Sequence, residues 1–451
     1  MVESFTKENG SPAGIDIRAL KQIFAAWGGW VMDGYTSIAF LLVAFFPISY
    51  IMFPASLGYW RLVLALVPAA FAGIGRPIGS LVLGNFLGDR VGRKTLLTVS
   101  ILGFSLFSAS KGLLPTYDQA GILAPVLLYI ILFLEGVFAG AEYGAGAALS
   151  LESVSKERRN LVGAFVQSGF GTGYFLIVLA DILITGGMST SALMSYGWRY
   201  LFFTTLIPGV LTLVIRLTSF ESTVFTDMKK SGTVAKVPVK SMVSESGSKV
   251  IYALMITTGL LFINTATFSF WPVISTGGIP GVSFPIQFLG FASSARLDAL
   301  LIINFVSLIG VWLGGILANW TTSRRFPMLI YAAIFTLPSA AFVYLGYSQS
   351  VTAFTIVFSI QAFLEAMIFS TLPAFLSETF SKKYRSTAIG FVYNSGALLG
   401  GFALILVLIP TYYVDIRLIW SIEIYLAAFL MLAGIYLVRE RKGQKVDSIL
   451  E

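Results

Sequence analysis

The sequence predicts an all-α polytopic membrane protein of twelve transmembrane helices arranged as two six-helix bundles. Three observations carry this. The 451 residues are 56% hydrophobic and 12% charged, with a mean hydropathy of +0.84, which is more apolar surface than a soluble fold buries. Apolar stretches long enough to cross a bilayer recur in two sets of six. A charged turn, Glu152-x-x-Ser155-Lys156-x-x-Arg159, returns half a chain later as Glu378-x-x-Ser381-Lys382-x-x-Arg385. Phe165-Val166 and Phe391-Val392 follow in the same register, each opening a helix rich in Gly and Ser. A match of this kind between two long apolar spans reads as a parallel internal repeat.

In order, spans are expected near 22–47, 62–87, 95–114, 122–150, 160–185 and 198–219, then 250–272, 298–321, 328–346, 351–376, 387–410 and 417–438. This divides the chain into a tail (1–21), a first bundle (22–219), a linker (220–249), a second bundle (250–438) and a second tail (439–451). The first 22 residues are charged and lack a short apolar core with a small-residue cleavage site, so the first span is expected to insert directly. Of the 30 Lys and Arg, all but Arg61, Lys111, Arg199, Arg296, Arg417 and the embedded Arg76 fall in segments on one side of the spans. The positive-inside rule puts that side, with both termini, in the cytosol. Segment 220–249 is rich in Lys and Ser, has no apolar periodicity, and is expected to be solvated or to lie on anionic membrane lipid. Segment 273–297 carries Gly277-Gly278, Pro280-Gly281 and Pro285, the makings of an irregular cap over the outer mouth.

Composition also excludes chemistry. The chain has no His and no Cys, which removes the commonest proton relay and the thiolate metal ligands, so no metal and no cofactor is expected. It also has no Gly-x-x-x-x-Gly-Lys-Ser/Thr phosphate loop. A membrane-embedded enzyme would lack the residues for most hydrolytic, metal-dependent or ATP-driven reactions. The net charge of +8 follows membrane topology and implies no nucleic-acid partner.

What remains is a set of embedded charges. Glu135 and Glu142 are seven residues apart and share one face of an otherwise apolar or small-residue helix. A carboxylate at the bilayer centre costs roughly 2.5–3.5 kcal/mol on insertion scales, so two in one span mean either a polar cavity with a task or a buried structural pair. Asp33 sits near the middle of the first span beside Trp27, Trp30 and Tyr35, and Arg76, on the second, is its obvious partner. Counted at mid-membrane, the first half holds three acids against Arg76 alone, an imbalance relieved by protonation. Glu365 and Glu423 have no embedded cation in the second half. Gln167, Asn264 with Trp271, Gln361, and Tyr393 with Asn394 supply neutral polar groups from both halves, for a cavity wall or for helix–helix bonding. Glycines such as Gly75/Gly79 and Gly140/Gly144 suit close helix packing.

One loop adds a resemblance. Between spans 2 and 3 the chain reads Gly84-Asn85-Phe86-Leu87-Gly88-Asp89-Arg90-Val91-Gly92-Arg93-Lys94. Its Asp-Arg-x-Gly-Arg-Lys core resembles the signature loop of the major facilitator superfamily, with Asn85 where the family has Gly. Segment 315–325 is a degenerate copy lacking the acid. Ala141-Glu142-Tyr143-Gly144, Gly197-Trp198-Arg199, Glu221-Ser222-Thr223-Val224-Phe225 and Gly390-Phe391-x-Tyr393-Asn394-x-Gly396 are similar to proton symporters for sialic acid, lactate and other small metabolites. Related sugar and metabolite symporters often carry an Arg where this chain has Leu132. The resemblance implies proton-coupled symport of a sugar or organic acid by alternating access, with a proton-driven exporter as the nearest alternative and a channel as a remote one. It implies a monomer whose partners are a small-molecule substrate, protons and lipid. Asp33, Glu142 and Glu135 would couple protons. Arg76, Gln167, Asn264, Trp271, Gln361, Tyr393 and Asn394 would hold substrate. Asp89, Arg90, Arg93, Glu152, Arg159, Glu378 and Arg385 would form a cytosolic gate.

Overall fold

A computed structural model describes residues 16–43, 47–84, 92–221, 226–227, 230–231, 238–277, 287–321 and 323–438. Asp89, Arg90, residues 1–15 and 439–451 of the tails, twelve residues of the 220–249 linker and the middle of segment 273–297 lie outside those residues. No strand occurs among the described residues. In hydrocarbon every backbone N–H and C=O must be satisfied within the chain, and a helix does this locally.

The first six spans are α1 (Ile17–Val43), α2 (Trp60–Leu83), α3 (Arg93–Ser110), α4 (Leu123–Glu152), α5 (Arg159–Thr185) and α6, which is broken into Trp198–Phe203 and Leu206–Thr218. The second six are α7 (Pro238–Asn264, continuing through a π-turn at Thr265–Ser269 to Trp271–Ile274), α8 (Ser293–Asn319), α9 (Arg325–Thr336 and Ser339–Gly346), α10 (Val351–Thr379), α11 (Arg385–Gly400 and Ala403–Leu408) and α12 (Ile416–Leu437). Among the described residues ten helices have the length and hydropathy of a membrane span, and α9, bent by 41°, makes an eleventh. Pro338 at its break explains the bend. The twelfth is α1, whose Trp, Gly and Asp33 dilute its apolar character over 27 residues. Large hydrophobic side chains such as Leu106, Leu183, Leu211 and Phe429 point outward, where lipid covers them.

Packing repeats with a shift of six. Helix α1 lies against α5 and α6 as α7 lies against α11 and α12, and α2 and α3 pack on α4 as α8 and α9 pack on α10. Between the halves, α5 meets α8 and α10 while α11 meets α2 and α4, so the interface is itself two-fold in pattern. The internal repeat in the charged turns is therefore a repeat of architecture. Helix α7 starts within the segment read as linker. Residues from Pro238 form a helical leader bent at Ser246 (φ −139°), anchored by buried Met242 and a 2.8 Å hydrogen bond between the Ser246 and Tyr384 hydroxyls.

Close approach of α2 and α4 depends on glycine. A Cβ at Gly75 or Gly79 would run into the backbone of Phe133 or Val137, and one at Gly136 or Gly140 into the backbone of Ala72 or Arg76. Two small-x-x-x-small faces thus interlock. This contact carries Arg76 to its place, so Gly140→Val should disorder the site as well as the fold. We expect Gly140→Val to cost at least the roughly 1–3 kcal/mol of core overpacking, read as a lower unfolding temperature in detergent. Gly187→Ala, where a Cβ meets open space, should leave that temperature unchanged.

Candidate functional site

Between the halves lies a cavity of about 180 Å³, below the roughly 300–1,000 Å³ of drug-sized ligand sites and suited to one small molecule. Helices α1 to α5 of the first half and α7, α8, α10 and α11 of the second contribute to its wall. Asp33, Arg76, Glu135, Lys111, Gln167, Asn264 and Tyr393 supply its polar surface, and Phe40, Phe170, Phe268 and Phe369 its aromatic surface.

Arg76 forms an ion pair with Asp33, and its Nη1 donates to Asp33 Oδ2 at 3.2 Å. The Ser37 hydroxyl donates to Asp33 Oδ1 at 3.4 Å. Lys111 Nζ donates to both oxygens of Glu135, at 3.0 and 2.8 Å, with the rings of Phe40 and Phe202 at 5.8 and 5.1 Å from the ammonium. Toward the end where α1 begins, Trp30, Tyr143 and Tyr393 close the cavity. Tyr143 and Tyr393 stack with centroids 3.6 Å apart, and Trp30 leans on both at 4.6 and 5.5 Å. The indole Nε1 of Trp30, the Tyr143 hydroxyl and Gln167 Oε1 are buried without a hydrogen-bond partner. Of these Gln167 lines the cavity, where an uncommitted polar atom is what a polar ligand satisfies.

The residues read together from the sequence are only partly brought together here. Asp33, Glu135, Arg76, Gln167, Asn264 and Tyr393 line the cavity. Glu142 does not. It pairs with Arg216 of α6 and accepts a hydrogen bond from Ser100 at 2.8 Å, while Arg216 also donates to the carbonyl of Leu97. The expected surplus of acid in the first half is thereby corrected: Arg76 is not the only embedded cation, because Lys111 and Arg216, counted as topological charges at the ends of spans 95–114 and 198–219, are 1% exposed and turned inward. Asn394 donates to the carbonyls of Gly140 and Gly390 at 2.8 Å each, tying α11 to α4. Trp271 packs among Phe268 and Phe358, and Gln361 is fully buried with its amide unpartnered; neither reaches the cavity wall.

The end where α1 begins carries the basic turns, and there two glutamates clamp the halves. Glu152 pairs with Arg93 of its own half and with Arg385 of the other at 3.3 Å. Glu378 pairs with Arg324 of its own half at 3.0 Å and with Arg159 of the other at 3.4 Å. Arg324 also donates to the Lys156 carbonyl at 2.7 Å. Arg324, in the degenerate loop, thus fills a place the sequence reading left empty. Glu221 completes this end: its carboxylate accepts from the backbone N–H of Arg93 and Lys94 at 3.2 and 3.1 Å, capping the start of α3, where the helix dipole favours an anion. The opposite end is joined across the halves by neutral bonds, from the Tyr59 hydroxyl to the Leu408 carbonyl at 2.9 Å and from the Tyr174 hydroxyl to the Phe268 carbonyl at 3.2 Å.

A two-fold array of helix bundles around a central cavity agrees with comparison to known proteins. The profile of the Major Facilitator Superfamily matches residues 34–404. The chain belongs to the major facilitator superfamily. Among its relatives in that superfamily are the inner membrane metabolite transport protein YhjE of Escherichia coli, 28% identical over 384 residues, 84% of this chain and 85% of that one. A probable 4-methylmuconolactone transporter of Cupriavidus pinatubonensis is 26% identical over 436 residues, 96% and 93% of the two chains. The xylose transporter XylE from E. coli, in a partially occluded inward open conformation, shares the fold at a TM-score of 0.71 and 16% identity, covering 95% of this chain and 100% of that one. This chain is accordingly a multi-pass membrane transporter of the facilitator type.

The Glu142–Arg216 pair makes a separable prediction. Removing one partner of a buried ion pair costs about 3–5 kcal/mol, because the other charge is left unpaired. Glu142→Gln should therefore lower the unfolding temperature sharply, and Arg216→Leu added to it should restore most of the loss. A single mutant as stable as the native protein would show that the pair holds nothing.

Proposed function

We propose that this protein is a proton-coupled symporter of a small carboxylate-bearing or zwitterionic metabolite. Its basic, clamped end faces the cytosol and Asp33 is the coupling acid. The observation that carries this reading is the Asp33–Arg76 pair in the cavity wall. Arg76 is committed to Asp33 while that carboxylate is ionised. A proton on Asp33 removes the charge that holds it, and the guanidinium is then free to take a substrate carboxylate, its best geometric partner. Proton and substrate thus enter as a pair and the wall stays near electrical neutrality throughout. Lys111–Glu135 is a second cavity pair, held by two short bonds, and acts as a fixed counter-dipole. Tyr393 and Asn264 from the second half let the ligand be gripped by both bundles, as alternating access requires.

The clamp of Glu152 and Glu378 favours closure of the cytosolic end. The carboxylates of Glu152 and Glu378 are buried and each meets a cation from either half, so opening this end must part buried pairs whose separated charges need water. The relatives' names support the substrate size and not its identity.

A thermal-shift screen over monocarboxylates, sugar acids, betaines and neutral sugars, followed by uptake into proteoliposomes with and without an imposed pH gradient, tests this. Asp33→Asn holds the shape and never ionises, so it should abolish gradient-driven accumulation while leaving substrate counterflow intact. Normal accumulation by Asp33→Asn would overturn the coupling assignment, and uptake indifferent to the gradient would overturn symport.

A further inference from the structure

Glu365 of α10 is fully buried and lies in the second half, one residue from Ala366 in the cavity wall. Its contacts are neutral. Asn264 Nδ2 donates to Oε1 at 3.1 Å, and Thr267 Oγ1 lies 2.8 Å from Oε2. The same Thr267 oxygen lies 2.9 Å from the Ile263 carbonyl. A hydroxyl owns one proton, and a helical threonine commonly spends it on the carbonyl four residues back. With Glu365 ionised the one Thr267 proton must be shared between Oε2 and the Ile263 carbonyl; with Glu365 protonated, Oε2 donates to Thr267 and each contact has a hydrogen of its own.

The surroundings agree. Charged groups on the helices around α10 are engaged elsewhere: Arg159 and Arg324 with Glu378, Arg385 with Glu152, Glu135 with Lys111, Glu142 with Arg216. Lys249 and Arg325 donate to backbone carbonyls. Toward the opposite end Asp181 accepts from Thr185 at 2.6 Å and Arg296 donates to the Pro272 carbonyl at 3.5 Å, Asp298 belongs to the first turns of α8, and Tyr393 stacks on Tyr143. An ionised carboxylate inside a span without a cation is costly, and a neutral acid is not.

We propose that Glu365 is a proton-binding site of the second half, whose occupancy sets the Asn264 side chain in the cavity wall and the π-turn that follows it. Helix α7 breaks at Thr265–Ser269 directly beside the acid, and isolated π-turns mark functional positions in helices. Loss of the proton draws the Thr267 hydrogen toward the carboxylate and weakens its bond to the Ile263 carbonyl, so ionisation loosens α7 where it borders the cavity. Proton exchange is with cavity water, through the Asn264 side. The site goes beyond the role given to Asp33 and stands without it.

The test needs no substrate. Infrared difference spectra of the purified full-length protein at neutral pH should show a protonated carboxyl band that is lost in Glu365→Gln, kept in Asp33→Asn, and bleached in the native protein at alkaline pH. The chain has no cysteine, so Thr265→Cys gives a single reporter in the wall; its labelling rate should follow thiol ionisation alone in the Glu365→Gln background and show an added pH step in the native one. Absence of the band at neutral pH, or identical labelling profiles in the two backgrounds, overturns the proposal. Should Glu365→Gln not fold, Thr267→Val reports instead, because it removes the acceptor and should shift the carboxyl band; an unshifted band counts against the site.

Discussion

Pairing of Asp33, Glu135 and Glu142 in the first half is the constraint on which the structure depends. Asp33, Glu135 and Glu142 find Arg76, Lys111 and Arg216 on three different helices, and each pair fixes how two helices approach. Coulomb attraction in a weakly polar medium is strong only when the partners touch, so helix positions cannot drift far without exposing an acid to hydrocarbon. The pairs therefore hold the bundle. Asp33 and Glu135 line the cavity, whereas Glu142 lies within the packing beside Arg216.

Between the halves the logic is different. The clamp at the basic end uses long side chains that reach across a surface, with Glu152 and Glu378 each bridging one cation from each half. Under the alternating access proposed above, these contacts would part and their charges return to water. The opposite end is tied by single hydroxyl-to-carbonyl bonds. In α7 the Ala266 carbonyl at the π-turn takes a bond from the Trp420 indole at 2.7 Å, so the break is stabilised from outside its own helix and not left unsatisfied.

Much of this was legible in the sequence. Hydropathy and the repeated Glu-x-x-Ser-Lys-x-x-Arg turn are properties of single segments, and they led to the bundles and to both halves of the clamp. What sequence could not supply was which way a long side chain near a span end turns. Lys111 and Arg216 are counted as loop charges by any reading along the chain, yet their aliphatic stems let the heads swing inward to meet an acid on another helix. The hint was present: an acid such as Glu142 in a small-residue span requires a cation from somewhere. Gln361 and Trp271 show the converse, polar-capable residues whose helical face turns to the packing. The helical leader of α7 was missed because Lys and Ser dominate its composition, and its order comes from Met242 and Ser246 docking on the second bundle.

The central claim is that a proton on Asp33 frees Arg76 for a substrate carboxylate. It is tested most directly by the proton balance of binding, measured as the pH change when a ligand found by the thermal screen is added to purified protein in weakly buffered solution. The account predicts proton uptake on binding in the native protein and none at this site in Asp33→Asn. Binding of a carboxylate with no proton uptake, or with the same uptake in Asp33→Asn, would contradict it.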